Sequence, residues 1–181
     1  EKMQREDPDG PNARELSLVR QSAEQLLRLI DDILDFSRIE HGSMSLSEDE
    51  VDVAELCGSL VSMMEPQARK KGIELSSSFA MTGANPNEDL RVVTDEGRLK
   101  QVVLNLLSNA LKFTREGSVS LRSELVTASE SQGKLCIEVH DTGIGISEED
   151  RDRLFKPFSQ IDGTWTREFG GLGLGLAISQ S

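Results

Sequence analysis

The segment Asn105-Leu106-Leu107-Ser108-Asn109-Ala110-Leu111-Lys112-Phe113-Thr114 carries two patterns at once. Leu99, Val102, Val103, Leu106, Ala110 and Phe113 recur every three or four residues, which predicts an amphipathic helix running through it. Asn105 and Asn109 lie four residues apart and so share one face, while Leu106, Leu107 and Ala110 turn towards a core. Amide oxygens are hard, neutral ligands, suited to a Mg²⁺ ion that also holds phosphate oxygens. Lys112 adds a positive charge close by. Taken alone, the pair fits two solvent-facing asparagines equally well, since Asn is a poor helix former and common on surfaces.

Outward from this helix the periodicity changes. Ser118 to Val126 and Lys134 to His140 read as two strands joined by a Ser/Gly-rich turn. On the other side, Leu90 to Thr94 reads as a short strand after a loop over 80–89, and Ile73, Leu75, Ser77 and Phe79 alternate as in a strand with one buried face. Leu56, Leu60, Met64 and Ala68 follow helical spacing, with Asp52 and Glu55 as a start signal and Gly72 as a stop. Pro66 is expected to kink that helix or to begin a new turn in it. Residues 43–51 read as a polar linker.

Before the linker, Leu16, Val19, Ala23, Leu26, Ile30 and Ile33 form a heptad seam that Leu27 and Leu34 widen. Asn12 and Glu15 suit its start and His41-Gly42 its end. Such a helix packs on its own domain or forms half of a hairpin that dimerises into a four-helix bundle; the sustained heptad favours the bundle. The expected fold is therefore α+β, a two-layer sandwich of one helical layer on one mixed sheet, preceded by a long helix. The division is 1–45 for the helical region and 46–181 for the sandwich, with a last helix from near Gly173.

Composition limits the partners. The chain has 181 residues, with 20 basic against 32 acidic side chains and a net charge of −12. A surface this acidic repels phosphate backbones, so no nucleic acid is expected as a partner. One Trp and no Tyr leave little for stacking bases. Cys57 and Cys136 form no zinc spacing and read as two buried thiols, and two histidines without metal-type spacing argue against a His-based metal site. No apolar run approaches the roughly 18 residues of a membrane span.

Two glycine-rich segments complete the set. Asp141-Thr142-Gly143-Ile144-Gly145-Ile146 follows a strand, where a carboxylate can accept from an exocyclic amine and glycines let the backbone approach a flat ring. Gly170-Gly171-Leu172-Gly173-Leu174-Gly175-Leu176-Ala177-Ile178 leaves room for phosphates before a helix, yet it is neither a Walker loop nor a good dinucleotide fingerprint. Alone, the first is a weak signal that a strand-to-loop turn also explains, and the second favours phosphates over a flexible hinge.

In this order, however, the segments resemble the ATP-binding region of sensor histidine protein kinases, within the gyrase–Hsp90–histidine kinase–MutL superfamily. The Asn-bearing helix is similar to the N box and Asp141–Ile146 to the first glycine box. Leu154-Phe155-Lys156-Pro157-Phe158-Ser159-Gln160 is similar to the phenylalanine box, and the segment from Gly170 to the second glycine box. Leu34-Asp35-Phe36-Ser37-Arg38-Ile39-Glu40 resembles the end of the second helix of the dimerisation and phosphotransfer hairpin.

The resemblance implies a Bergerat-type ATP-binding fold with ATP and Mg²⁺ as ligands. It makes Asn109 the principal metal ligand, with Asn105 assisting, and sets Lys112 near the phosphates. Asp141 would take the adenine amino group in a pocket shaped by Gly143 and Gly145. Ser147 to Phe169 would be a lid, anchored to the core by Phe155 and Phe158, with Arg167 reaching the γ-phosphate or lying on the surface. Gly171, Gly173 and Gly175 would wrap the triphosphate, and Phe158 and Leu174 count with the nucleotide-binding residues.

The implied activity is transfer of the γ-phosphoryl to a histidine on the hairpin and onward to an Asp of a response-regulator receiver domain. The implied assembly is a homodimer through the hairpin. The implied location is the cytoplasm, with a membrane-anchored receptor as one form of the parent protein. Asn105 stands where the ATP-hydrolysing relatives carry a Glu general base, and an amide cannot take a proton from water.

The match has gaps. The His-Glu/Asp-x-Arg/Lys-Thr-Pro motif of the phosphoacceptor is absent, and His41 and His140 lie elsewhere. The chain is therefore not expected to phosphorylate itself, and the strand pair that closes the family's sheet is expected to be missing. Leu172 replaces the usual Thr or Ser, and Trp165 a small lid residue. Two alternatives follow: a pseudokinase deficient in nucleotide binding, or a dimerisation and docking module that regulates a partner.

Overall fold

The computed structural model describes residues 13–82, 91–129, 132–159 and 172–180. The long amphipathic stretch forms α1 (Ala13–Glu40). It ends where expected: Gly42 takes φ +60°, and the amides of Gly42 and Ser43 return to the carbonyls of Ile39 and Arg38. This closing turn satisfies carbonyls that a helix end leaves orphaned. Asn12, the expected start signal, lies outside the described residues.

After α1 come β1 (Asp49–Asp52), α2 (Val53–Lys71), β2 (Glu74–Thr82) and β3 (Arg91–Thr94). These are followed by α3 (Glu96–Phe113), β4 (Ser118–Ser129) and β5 (Gln132–Asp141), then α4 (Glu148–Arg151) and α5 (Gly175–Gln180). Asp52 and Asp95 cap α2 and α3, their side chains accepting the amides of Glu55 and Arg98, both at 2.9 Å. α2 runs through Pro66 as one helix. Pro66 sits on the exposed face, where water can serve the Ser62 carbonyl that loses its amide partner.

The expected linker over 43–51 is in part a strand. β1 pairs antiparallel with β3, Val51 opposite Val92. Val51 is buried and is the one apolar residue in the acidic run of β1, too few to show an alternation. The single sheet expected from the sequence divides among the described residues into this ribbon and a three-stranded sheet ordered β2-β4-β5. There β2 and β4 run parallel, and β4 and β5 antiparallel.

Helices α2 and α3 cover the larger sheet. Leu60, Val103, Leu107, Leu111, Val119 and Leu121 are fully buried between them. Leu106, expected to face this core, is only half-buried, and Leu111 points into it instead. Cys57 is buried but Cys136 only half-buried, which corrects the expectation of two buried thiols. Burial pushes the Cys57 thiol pKa up. Among the described residues no helix is long and apolar enough to cross a membrane.

Candidate functional site

The asparagine pair lies on the face of α3 that meets α5. Asn105 Nδ2 donates to Ser179 Oγ at 3.0 Å, and Ser179 Oγ–H donates to the Gly175 carbonyl at 2.9 Å. Asn109 Nδ2 points at Asn105 Oδ1 over 3.4 Å. A Cβ on Gly175 would overlap the Asn105 amide, so glycine here lets that amide keep its place between α3 and α5. Asn105 is half-buried and held by a neighbouring helix, so it does not simply face solvent.

The Asp141 turn docks at the other end of α3. Asp141 Oδ1 accepts the Gly143 amide at 2.8 Å. A Cβ on Gly143 would lie 2.6 Å from the Phe113 carbonyl oxygen and 2.7 Å from Asp141 Oδ1. The turn is thus pressed against the backbone where α3 ends, and the carboxylate stays exposed at the rim. Thr142 locks its other flank, its Oγ1 accepting the Ser118 amide at 3.0 Å. We expect Gly143→Ala to lower the free energy of unfolding by about 2 kcal/mol, because one clashing partner is backbone and cannot rotate away. Urea denaturation checks this; an unchanged midpoint would mean that the turn is loosely seated.

Lys112 lies half-buried at the end of α3, its Nζ 4.9 Å from the Phe113 ring centroid. Burial pulls its pKa below the usual lysine range. Gly145 and Gly173 both adopt positive φ, +70° and +69°. A Cβ on Gly173 would fall 2.5 Å from the Ser159 carbonyl oxygen, so the end of the glycine loop crosses the end of the phenylalanine box. Leu174 is buried, and what it can offer a ligand is its backbone. Arg167, Gly171 and Trp165 lie outside the described residues, as do residues 160–169 of the lid expected from Ser147 to Phe169.

Phe158 departs from its expected place. It has φ +59°, is 60 % exposed, and sets its ring edge-on to Phe36 of α1 with centroids 5.7 Å apart. Its anchor is therefore the long helix and not the core of the sandwich, while Phe155 remains 45 % exposed. The residue after Pro157 is turned outward by its left-handed backbone, which a sequence motif does not disclose.

A second contact joins α1 to α3. Asp35 Oδ2 accepts from Arg98 Nη1 at 2.5 Å and from Gln101 Nε2 at 2.9 Å. Arg98 also donates to Gln101 Oε1 at 2.8 Å. Asp35 is buried, and the Arg98 hydrogen bond holds its carboxyl below the usual carboxylate range despite that burial. Just beyond this clasp lies a small cleft, lined by Asp32 of α1, Gln101, Val102 and Asn105 of α3, and Ile178 and Ser179 of α5. Reasoning from the sequence missed both the clasp and Ser179. Asp35 stood inside a quoted motif, yet no spacing tied it to Arg98.

The donor set fits a nucleotide with its cation. Among the described residues no cluster of three His, Cys, Asp or Glu could hold a metal. A cation here would lean on amide oxygen and on the ligand's own phosphates, as Mg²⁺ does. The glycines at 143, 173 and 175 let the Asp141 turn, the glycine loop and α5 pack closely on Phe113, Ser159 and Asn105, which draws these segments together around α3.

Known proteins match this arrangement. The family described as histidine kinase-, DNA gyrase B- and HSP90-like ATPase matches residues 94–181, and the His Kinase A (phospho-acceptor) domain matches residues 1–42. The peroxide stress-activated histidine kinase mak2 of Schizosaccharomyces pombe is 40 % identical over 168 residues, which are 90 % of this chain and 7 % of that one. Full-length ShkA, solved in complex with AMPPNP, has a TM-score of 0.70 at 35 % identity, over 93 % of this chain and 33 % of that one. The catalytic domain of histidine kinase ThkA has a TM-score of 0.55 at 30 % identity, over 76 % of this chain and 78 % of that one. The chain spans less than a fifth of the length of the curated relatives it matches first. The order of the boxes, the α+β architecture and these likenesses agree: the chain belongs to the histidine kinases, as their ATP-binding domain joined to a phospho-acceptor-type helical region.

Proposed function

We propose that this chain binds Mg·ATP and positions its γ-phosphoryl for transfer to a histidine on a helical hairpin, from which it passes to an Asp of a response-regulator receiver domain. The observation that carries this reading is the convergence on α3: the asparagine pair meets the glycine-bearing α5 on one face, and the Asp141 turn seals against its C-terminal end. Phosphoryl transfer asks a protein mainly for positioning and charge neutralisation. Asp141 is the acceptor for the adenine amino group, on a turn that Gly143 allows to press against the end of α3. Asn109 holds the metal with Asn105 beside it, and Lys112 meets phosphate charge. Gly171, Gly173, Gly175 and the backbone of Leu174 line the phosphates, with Arg167 at the γ-phosphate and Phe158 at the rim.

Magnesium bound there would draw charge from the phosphate oxygens. Asn105 offers no base for water, which supports transfer to a nucleophile over hydrolysis. The assembly is a homodimer: Leu16, Val19, Leu26, Leu27, Ile30 and Leu34 stand 45–65 % exposed along α1, a seam without a partner inside the described chain. Burying it against a second copy removes apolar surface from water.

Calorimetric titration with ATP, with and without Mg²⁺, tests the reading. The unmutated chain is expected to bind more tightly with Mg²⁺. Asn109→Ala is expected to lose that increment, about tenfold in affinity, while its melting temperature stays unchanged. An unaltered Mg²⁺ requirement in Asn109→Ala would remove the metal assignment, and a folded parent that binds no ATP would remove the kinase reading itself.

A further inference from the structure

We propose that Ser179 is a positioning residue that sets which atom of Asn109 faces the metal; this rests on the nucleotide reading above. An amide side chain has two nearly isosteric ends, one a donor and one an acceptor. A helix face alone cannot choose between them, and a cation tolerates only the oxygen. The choice must come from the hydrogen bonds the amides make.

Those bonds form a directional chain. Ser179 Oγ–H is committed to the Gly175 carbonyl at 2.9 Å, one turn back on α5. Its oxygen is then left to accept, and it takes Asn105 Nδ2 at 3.0 Å. With its nitrogen held there, Asn105 turns Oδ1 towards Asn109, whose Nδ2 approaches over 3.4 Å. The consequence falls on Asn109: with Nδ2 facing inward, Oδ1 is the end turned away from the pair. The direction of the chain originates in a backbone carbonyl, which cannot reverse, and Ser179 transmits it.

The placement of α5 ties this polarity to the glycine loop. Gly175 supplies the carbonyl that orients Ser179, and its missing Cβ makes room for the Asn105 amide. A shift of the loop that moves Gly175 therefore also moves the group that orients the asparagines. Neither residue touches the nucleotide for this purpose; both act through Asn105.

The test compares Ser179→Ala, Ser179→Val and Ser179→Thr in the 181-residue chain. ATP is titrated with and without Mg²⁺, and melting is followed in parallel. Losing one neutral hydrogen bond from the chain is expected to cut the Mg²⁺-dependent gain in ATP affinity about fivefold in Ala and Val. Thr keeps the hydroxyl and is expected to retain the full gain, while binding of metal-free ATP stays the same in all three. In an Asn105→Ala background Ser179→Ala is expected to add no further loss, because the two residues act in series.

A full Mg²⁺ gain in Val, or equal losses in Val and Thr, would overturn the proposal. So would unfolding of Ala and Val with Thr intact, which would assign the hydroxyl to stability. A parent chain that binds ATP without any Mg²⁺ gain would overturn this proposal and the metal assignment together, whereas a parent with the gain and an unchanged Val variant would overturn this proposal alone.

Discussion

Asp141→Ala is expected to weaken ATP binding about 100-fold while leaving the fold intact. A hydrogen bond to a charged group in a partly desolvated pocket is worth about 1.5–3 kcal/mol, and an adenine amino group left without its acceptor adds a desolvation penalty. The fold has little stake in this carboxylate. It is exposed, and among the described residues it accepts the Gly143 amide while the turn is separately held by Thr142. The loss should therefore appear in the titration and not in the melting curve. Base selectivity sharpens the result. A site built to meet a donor rejects an analogue that lacks it, so the parent should prefer ATP strongly over GTP, whose ring carries an oxygen at that position. Asp141→Ala should bind the two alike. Retained preference in the variant would move adenine recognition elsewhere.

Arg98→Ala is expected to destabilise the chain by about 3 kcal/mol. It removes the charged partner of a carboxylate that is only 8 % exposed and leaves it with the Gln101 amide alone. Removing one member of a buried pair costs more than the pair contributes, because the remaining charge stays desolvated. Chemical denaturation reads the effect, and limited proteolysis of α1 should accelerate in step, since Asp35 is on that helix and Arg98 on α3. Asp35→Asn should cost less, because its amide can still accept from Arg98.

The pH dependence follows from the depressed Asp35 pKa, caused first by the Arg98 hydrogen bond. A native pKa below the unfolded value means that the unfolded chain binds the proton more readily. The stabilisation is whole above about pH 4, the unfolded carboxylate value, and is lost as pH falls through the lower native one. Arg98 has its pKa raised by the same partner and loses nothing at neutral pH. The difference between parent and Arg98→Ala should thus shrink on acidification below about pH 4. A difference that stays constant there would mean that packing, and not charge, makes the contact.

This clasp also bears on how phosphoryl transfer would be organised. Asp35 and Phe36, adjacent on α1, hold two different parts of the catalytic unit, α3 and the phenylalanine box. Phe158 makes its contact from a left-handed backbone that costs an ordinary residue about 1 kcal/mol. The long helix therefore carries an exposed apolar seam together with the contacts to α3 and the phenylalanine box.

Much of this protein could be read from residues close together along the chain. The faces of α1 and α3 follow from a period near 3.6, which needs no knowledge of partners. Asp52 as a cap and Gly42 and Gly72 as helix ends follow from local hydrogen bonds and permitted φ angles. The order of the asparagine, glycine and phenylalanine boxes was enough to name the family. What periodicity and local chemistry do not encode is pairing across long stretches of chain. Val51 entered the core only because β3 offered an edge to β1. Asp35 met Arg98 across 63 residues, and Asn105 met Ser179 across 74. A buried aspartate and a helix serine look the same in sequence as their exposed counterparts. Which group faces them, and hence which charge is stabilised and which amide is oriented, is decided only when the helices pack.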